Sequence, residues 1–266
     1  MPGPDPAAAG PGDYSAGRLQ AAQVRSMFDG VAGVYDLLNT VMTAGLHHRW
    51  RRRAVEYAGV GPGSRVLDVA TGTGDLALEL ARHVSPGGEV IGSDFSEGML
   101  QRARAKASAQ TSTPNDARLV FEWGDALELP YPENSFDAAT VGFGARNFSD
   151  LGRGLAEMAR VVRPGGRVVI LEMTTPVRPP LSLFFALWFD RIVPLMGRLT
   201  ALLSRPGGAS SQETIAQAYT YLPNSVKRFH SPVQLAAELE RAGCEDVRYT
   251  LMAGGIIALH GATVLQ

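Results

Sequence analysis

Val66-Leu67-Asp68-Val69-Ala70-Thr71-Gly72-Thr73-Gly74-Asp75 runs from an apolar stretch through a glycine turn into a segment with apolar residues at helical spacing. The order reads as strand, turn and helix. Glycine lets backbone approach a ligand closely, and the first turn of a helix offers N–H groups that no carbonyl has claimed. A lone Gly-x-Gly is a weak signal, because Gly72 and Gly74 suit a tight turn with no ligand equally well.

Spacing sharpens it. Asp94 follows a second apolar run, at the place where a carboxylate can accept both hydroxyls of a ribose. The competing role is capping the next helix, for which Ser96 is better placed. Dinucleotide and S-adenosylmethionine sites share this much. Asp68 separates them: a carboxylate repels a pyrophosphate but favours a sulfonium or an ammonium. Gly124-Asp125-Ala126 follows a third apolar run, and Asp125 can accept an adenine amino group or simply be a solvated loop residue. Ala77 stands where the dinucleotide pattern accepts Gly or Ala and decides nothing. Together the residues favour S-adenosyl-L-methionine over NAD.

Outward from this turn, strands are expected at Arg65–Val69, Glu89–Ser93, Arg118–Glu122, Ala138–Gly142 and Arg167–Glu172. Helices are expected at Leu76–Val84, Glu97–Ser108 and Leu151–Val162. Alternation at this spacing points to an α/β fold, a parallel sheet with helices on both faces. Residues 1–18, rich in Pro, Gly and Ala, read as a disordered tail. Residues 19–59 read as a helical N-terminal extension or lid: Val24, Met27, Phe28, Val31, Val34 and Tyr35 recur at helical spacing, a second stretch ends near Gly45, and a third runs from about His47 to Ala58. Residues 60–266 form the remaining domain, with an insertion near 178–228. Within it, residues 181–203 are strongly apolar but broken by Asp190, Arg191, Pro194 and Arg198. They are expected to form a buried helix followed by a loop at Ser204–Ser211 rather than a membrane span; a greasy lid or membrane-facing wall is the alternative. Helices near Glu213–Lys227 and Pro232–Ala242 and strands near Asp246–Met252 and Gly255–Ala262 complete the chain, with Gly254-Gly255 as a hairpin signal.

The chain has 266 residues, 25 basic and 26 acidic, for a formal charge of −1. A balance this even does not suit a general nucleic-acid binder. The one cysteine, Cys244, rules out an internal disulfide and a Cys-only metal site. The histidines are scattered, so no metal is expected. No cationic start leads into an apolar run at the N-terminus, so no signal peptide is expected and the cytoplasm is the expected compartment.

With those residues in hand, the chain resembles class I S-adenosylmethionine-dependent methyltransferases, and more narrowly the ubiquinone/menaquinone biosynthesis C-methyltransferase family, over about Ser26 to Val264. One signature runs from Tyr35 to Trp50, with Leu38 in place of the usual Met. A second runs from Arg160 to Glu172. Between them Gly142-Phe143-Gly144-Ala145-Arg146-Asn147 is similar to the family's Ser-Phe-Gly-Leu-Arg-Asn, and the segment from Gly254 to His260 also fits. Gly142 in place of Ser removes a hydroxyl. Arg205–Glu213 and Pro223-Asn224 depart from the common form on the expected substrate side.

The resemblance implies a Rossmann-like, mostly parallel seven-stranded sheet and cofactor contacts at Thr73, Asp94, Asp125, Ala126 and Gly142; Asp68, Gly72 and Gly74 follow from the general class I pattern. It implies C-methylation of a demethylated prenyl quinol, demethylmenaquinol to menaquinol in menaquinone biosynthesis. A ubiquinone precursor or another aromatic natural product is the near alternative. An NAD-dependent oxidoreductase and a noncatalytic interaction module are the distant ones.

For that substrate, a ring carbon becomes the nucleophile when an adjacent oxygen loses its proton. A phenol ionises near pH 10 by the tyrosine reference, so the site must favour the anion. Arg146, just beyond the fourth strand, is the candidate to stabilise it, although pairing with a carboxylate is the plainer role. His47, Tyr221 and His260 are candidate acid–base or orienting groups, and any of them would serve equally as a buried structural residue. Asp36 and Asn39 suit bracing as well as substrate contact. The cluster His47-His48-Arg49-Trp50-Arg51-Arg52-Arg53 reads as a solvated helix face, or as a contact for anionic lipid heads. The expected partner is the prenylated quinol and not nucleic acid; contact with the membrane surface and pairing with a second copy of the chain are options that the sequence leaves open.

Overall fold

In the computed structural model, β1 (Arg65–Val69), β2 (Glu89–Asp94), β3 (Arg118–Trp123), β4 (Phe136–Gly142), β5 (Val162–Met173), β6 (Cys244–Met252) and β7 (Ile257–Val264) form one sheet. Its order is β3-β2-β1-β4-β5-β7-β6. The pairs among β1 to β5 are parallel, and β7 runs antiparallel to both β5 and β6. The structure describes residues 21–31, 36, 40, 43, 45–110, 116–193, 195 and 209–265. The expected tail, Asn39 and most of the loop after 203 lie outside them.

The chain lays β2 and β3 to one side of β1 and then crosses to place β4 on the other. The switch point is therefore the gap between β1 and β4, where open α/β sheets bind ligands. The strands are short apolar runs because both sheet faces are covered. One face carries α2 (Leu46–Ala58), α3 (Asp75–Val84) and α4 (Glu97–Ser108), packed on Val66, Val90, Ala138, Val169 and Leu259. The other carries α5 (Leu151–Val161) and a later helix, Pro232–Arg241, packed on Leu67, Ile91, Ala139, Val141 and Ile170. Ahead of these, α1 (Ala21–Val31) is the first helix among the described residues, and Asp36, Thr40 and Thr43 are also helical.

β5 begins earlier than its apolar run suggests. Val162 already pairs with Phe136, and after an irregularity around Pro164-Gly165-Gly166 the ladder resumes at Arg167 with Ala138. The expected hairpin at Gly254-Gly255 is a longer turn: Ala253, Gly254 and Gly255 all take positive φ, and Met252 pairs with Ile257.

The apolar segment after β5 forms α6 (Leu181–Leu187), continued by a π turn at Trp188–Ile192. It is only half buried, where the sequence suggested full burial. Phe185 and Phe189 pack inward with Val226 and Val193 is buried, while Leu183, Phe184, Leu187 and Leu195 are exposed. Among the described residues no helix is long and apolar enough to cross a membrane. α7 (Ala209–Arg228) starts before Glu213, inside the stretch expected to be loop, and α8 is Pro232–Arg241.

Candidate active site

A cleft opens beyond the C-terminal ends of β1, β2 and β4, at the switch point. Its floor is the turn after β1. Gly72 (φ 57) and Gly74 (φ 82) both sit in the left-handed region, for different reasons. Gly72 lines the cleft, and a Cβ built there meets nothing within 4 Å. Gly74 is not on the wall: a Cβ there would lie 2.7 Å from Phe121 Cζ and 2.9 Å from Ala103 Cβ. Gly72 keeps the cleft open, while Gly74 lets α3 start close against β3 and α4.

Two buried carboxylates flank the turn. Asp68 at the end of β1 is 1 % exposed and accepts hydrogen bonds from Thr71 Oγ1 (2.6 Å) and Thr140 Oγ1 (2.7 Å). Asp94 at the end of β2 accepts from Gly72 N through Oδ2 (2.8 Å) and from Ser96 N through Oδ1 (2.9 Å). Burial outweighs these hydrogen bonds and pushes both carboxyls up to about 6. Ser96 caps α4, accepting from Met99 N at 3.2 Å, so Asp94 is not spent as a cap.

Thr73, buried and on the cleft wall, donates its hydroxyl to Asp36 Oδ1 (2.6 Å). Lys106 Nζ reaches Thr73 Oγ1 (2.9 Å), Asp36 (2.6 Å) and Asp75 (2.6 Å). Asp36 therefore braces the N-terminal extension onto the turn. Asp125 is exposed on the wall beside Ala126, with Oδ1 accepting from Leu127 N (2.9 Å). Gly142 ends β4 facing Leu76.

Arg146 follows β4 in a short 3-10 turn, Ala145–Asn147. Its Nη1 donates to Glu172 Oε1 (2.6 Å) and to the Phe143 carbonyl (2.5 Å), and its backbone N donates to Glu172 Oε2 (3.2 Å). The paired side chains are 6 % and 1 % exposed. Arg146 is thus held in a buried ion pair behind the cleft, and its neighbour Asn147 forms the wall. Tyr221, buried on α7, donates to Asn147 Oδ1 at 3.1 Å. Burial raises its phenol above the usual range, partly opposed by Arg146.

His47 is buried on α2 with Nδ1 2.6 Å from Thr43 Oγ1. Burial, helped by Arg51, lowers its pKa to about 4, so the ring is neutral at neutral pH. Neither it nor His260 lies on the cleft wall. His260, on β7, donates Nε2–H to the Pro232 carbonyl (2.8 Å) and packs on Tyr249. Its place is under the start of α8, away from the expected chemistry.

The wall also holds residues that were not site candidates in the sequence: Phe28 from α1, Arg51 from α2, and Phe95, Phe143 and Phe148. Arg51 had a signal. It falls on the buried stripe of α2 with His47, Trp50, Ala54, Val55 and Ala58, so the basic cluster is not one solvated face. Only His48, Arg49, Arg52 and Arg53 face outward.

An open glycine turn, a carboxylate at the end of β2 and a second beside β1 fit a nucleoside bearing a cation. The adjacent carboxylates do not fit a pyrophosphate.

The sequence pattern of the ubiE/COQ5 methyltransferase family matches residues 17–264. Demethylmenaquinone methyltransferase of Deinococcus radiodurans is 44 % identical over 89 % of this chain and 90 % of its own. The enzyme of the same name from Desulfitobacterium hafniense is 40 % identical over 93 % and 91 %. A solved SAM-dependent methyltransferase from Aquifex aeolicus superimposes with a TM-score of 0.55 at 20 % identity, over 81 % of this chain and 89 % of that one; this likeness shows the fold.

Proposed function

The chain belongs to the ubiE/COQ5 methyltransferase family, and from that premise we propose that it methylates a ring carbon of a demethylated prenyl quinol, demethylmenaquinol, with S-adenosylmethionine as donor. The observation that carries the donor assignment is the pair of buried carboxylates, Asp68 and Asp94, set around the open turn at Gly72. The acceptor is taken from the relatives' names.

When bound, S-adenosylmethionine supplies an electrophilic methyl group on a sulfonium. The chain's own residues orient the partners. Asp94 receives the ribose hydroxyls while holding Gly72 in place; Thr73, Asp125, Ala126 and Gly142 shape the rest of the nucleoside site, and Asp68 faces the cationic end. Arg146, expected from the sequence to stabilise the hydroquinolate, is instead paired with Glu172 off the cleft wall, so it acts as a positioning residue that fixes Asn147 on the acceptor side. Tyr221 stays protonated at neutral pH, so it donates and orients rather than accepts a proton. His47, off the cleft wall and with its pKa lowered to about 4, is a weak proton acceptor, and its tie to Thr43 makes it a positioning residue for α2.

The prenyl tail accounts for the exposed face of α6. Leu183, Phe184 and Leu187 of α6 and Leu195 beyond it are exposed, as are Arg178 and Arg191 on either side of α6 in the sequence. Exposed apolar and basic side chains in one segment suit the surface of an anionic bilayer. Flotation with anionic and neutral liposomes tests this, and no association with either would remove the surface contact.

The donor assignment is tested by thermal shift, because a ligand that binds only the native state raises its melting temperature. S-Adenosylhomocysteine is expected to stabilise the chain and NADH is not. The reverse would point to an oxidoreductase, and stabilisation by neither to a noncatalytic module.

A further inference from the structure

Arg51 is carried to the cleft on the buried stripe of α2. Its side chain is 9 % exposed, and Nη1 stands 3.1 Å from Asp75 Oδ2. The guanidinium carbon lies 5.9 Å from the centroid of the Phe143 ring. Yet the buried Nη1 makes no hydrogen bond. A guanidinium offers five N–H donors, and a buried donor left unmade is costly. Asp75 meets Nη1 as an ion pair through Oδ2 but without the alignment of a hydrogen bond, and its other oxygen, Oδ1, accepts from Lys106.

The charges around this end of the cleft point to what would. Asp36 and Asp75 are met by Lys106 and Arg51. Asp68, on the same wall, accepts among the described residues only from hydroxyls. Arg51 is close enough to pull the Asp68 carboxyl down against its burial. One wall therefore presents a guanidinium with a spare buried donor and a carboxylate with no cation hydrogen-bonded to it. That is the complement of an α-amino acid zwitterion: carboxylate to guanidinium, ammonium to carboxylate.

We propose that Arg51 binds the α-carboxylate of the donor's methionyl end while Asp68 takes its ammonium, making α2 part of the binding site. This rests on the reading of the cleft as an S-adenosylmethionine site. Discrimination against a donor lacking the carboxylate would then reside in one residue of the N-terminal extension.

The test is calorimetric binding of S-adenosylhomocysteine, its decarboxylated analogue and 5′-methylthioadenosine to the wild type, Arg51→Gln and Arg51→Lys. The wild type is expected to prefer S-adenosylhomocysteine over the decarboxylated form by about tenfold or more, the scale of one charge-assisted pair. Arg51→Gln should lose most of that preference while binding methylthioadenosine as the wild type does. Arg51→Lys, which keeps the charge beside Asp75, should retain part of it. An unchanged preference in Arg51→Gln, or no preference in the wild type, would overturn the proposal. Failure of the wild type to bind any of the three would instead overturn the cofactor reading on which it rests.

Discussion

Glu172 receives Arg146 twice, through the guanidinium at 2.6 Å and the backbone N–H at 3.2 Å. The carboxylate at the end of β5 thereby fixes the turn that follows β4, and with it Asn147 on the cleft wall. Removing one partner of a buried pair leaves the other charge without its compensation, which costs about 3–5 kcal/mol. Glu172→Ala is expected to lower the unfolding free energy by that amount, read as a lower urea midpoint at constant slope. Glu172→Gln, which keeps an acceptor oxygen, should lose less. A loss below about 0.5 kcal/mol for Glu172→Ala, the range of ordinary surface changes, would show that the pair is not what holds the turn.

The two glycines of the turn should separate stability from binding. Gly74→Ala drives a methyl group into Phe121 and Ala103, and overpacking of this kind costs about 1–3 kcal/mol. Gly72→Ala has room and pays only for its positive φ, about 1–2 kcal/mol, but places a methyl group at the cleft. Gly74→Ala should therefore show the larger drop in melting temperature, and Gly72→Ala the larger loss of S-adenosylhomocysteine affinity per degree of melting temperature lost. Equal losses of both kinds in the two variants would contradict this division.

Asp68 and Asp94 stand near 6 in the folded chain, against about 4 when unfolded. Between those values the native state holds more protons than the unfolded state, so these groups lower stability as pH rises from about 4 to 6 and add no further slope above. His47 works in the other sense: its pKa is lowered to about 4, so stability is lost as pH falls from about 6.5 toward 4. Binding of a cationic methionyl end needs Asp68 ionised. Affinity for S-adenosylhomocysteine should fall about tenfold per pH unit below 6 from Asp68 alone. Asp68→Asn should remove that part of the slope in titrations from pH 5 to 8. An unaltered slope would assign the dependence to other groups.

Tyr221 reaches the wall through its hydrogen bond to Asn147. Tyr221→Phe gives up one hydrogen bond worth about 1 kcal/mol. The expected result is a several-fold lower kcat with S-adenosylhomocysteine affinity unchanged. A matching fall in that affinity would move Tyr221 from the acceptor side to the donor side.

Much of this was legible in the sequence, and the reason is local. β1, β2 and α4 are continuous in their apolar pattern and end on clear turn or cap residues, so their bounds and the carboxylates that follow them could be read directly. Asp68, Gly72 and Asp94 come together because parallel strands bring their C-terminal ends to one edge. What could not be read depends on contacts distant in sequence. Arg146 meets Glu172 only because β4 and β5 are neighbours. Gly74 shares a motif with Gly72, and only the packing of Phe121 separates their duties. The half-exposure of α6 was hidden because residues 181–195 are apolar on both sides of the helix. Arg51 was readable but disguised, since the arginines around it drew attention to charge rather than to its place on the buried stripe.

The central claim is methyl transfer to a reduced prenyl quinol. It is tested most directly by mass spectrometry of the quinone fraction after incubating purified protein with S-adenosylmethionine and demethylmenaquinone, chemically reduced in one arm and oxidised in the other. The predicted result is a gain of about 14 Da, one methyl for one ring hydrogen, in the reduced arm only. No gain in either arm, under conditions where S-adenosylhomocysteine binds, would contradict the assigned acceptor; an equal gain in both would contradict the hydroquinolate mechanism.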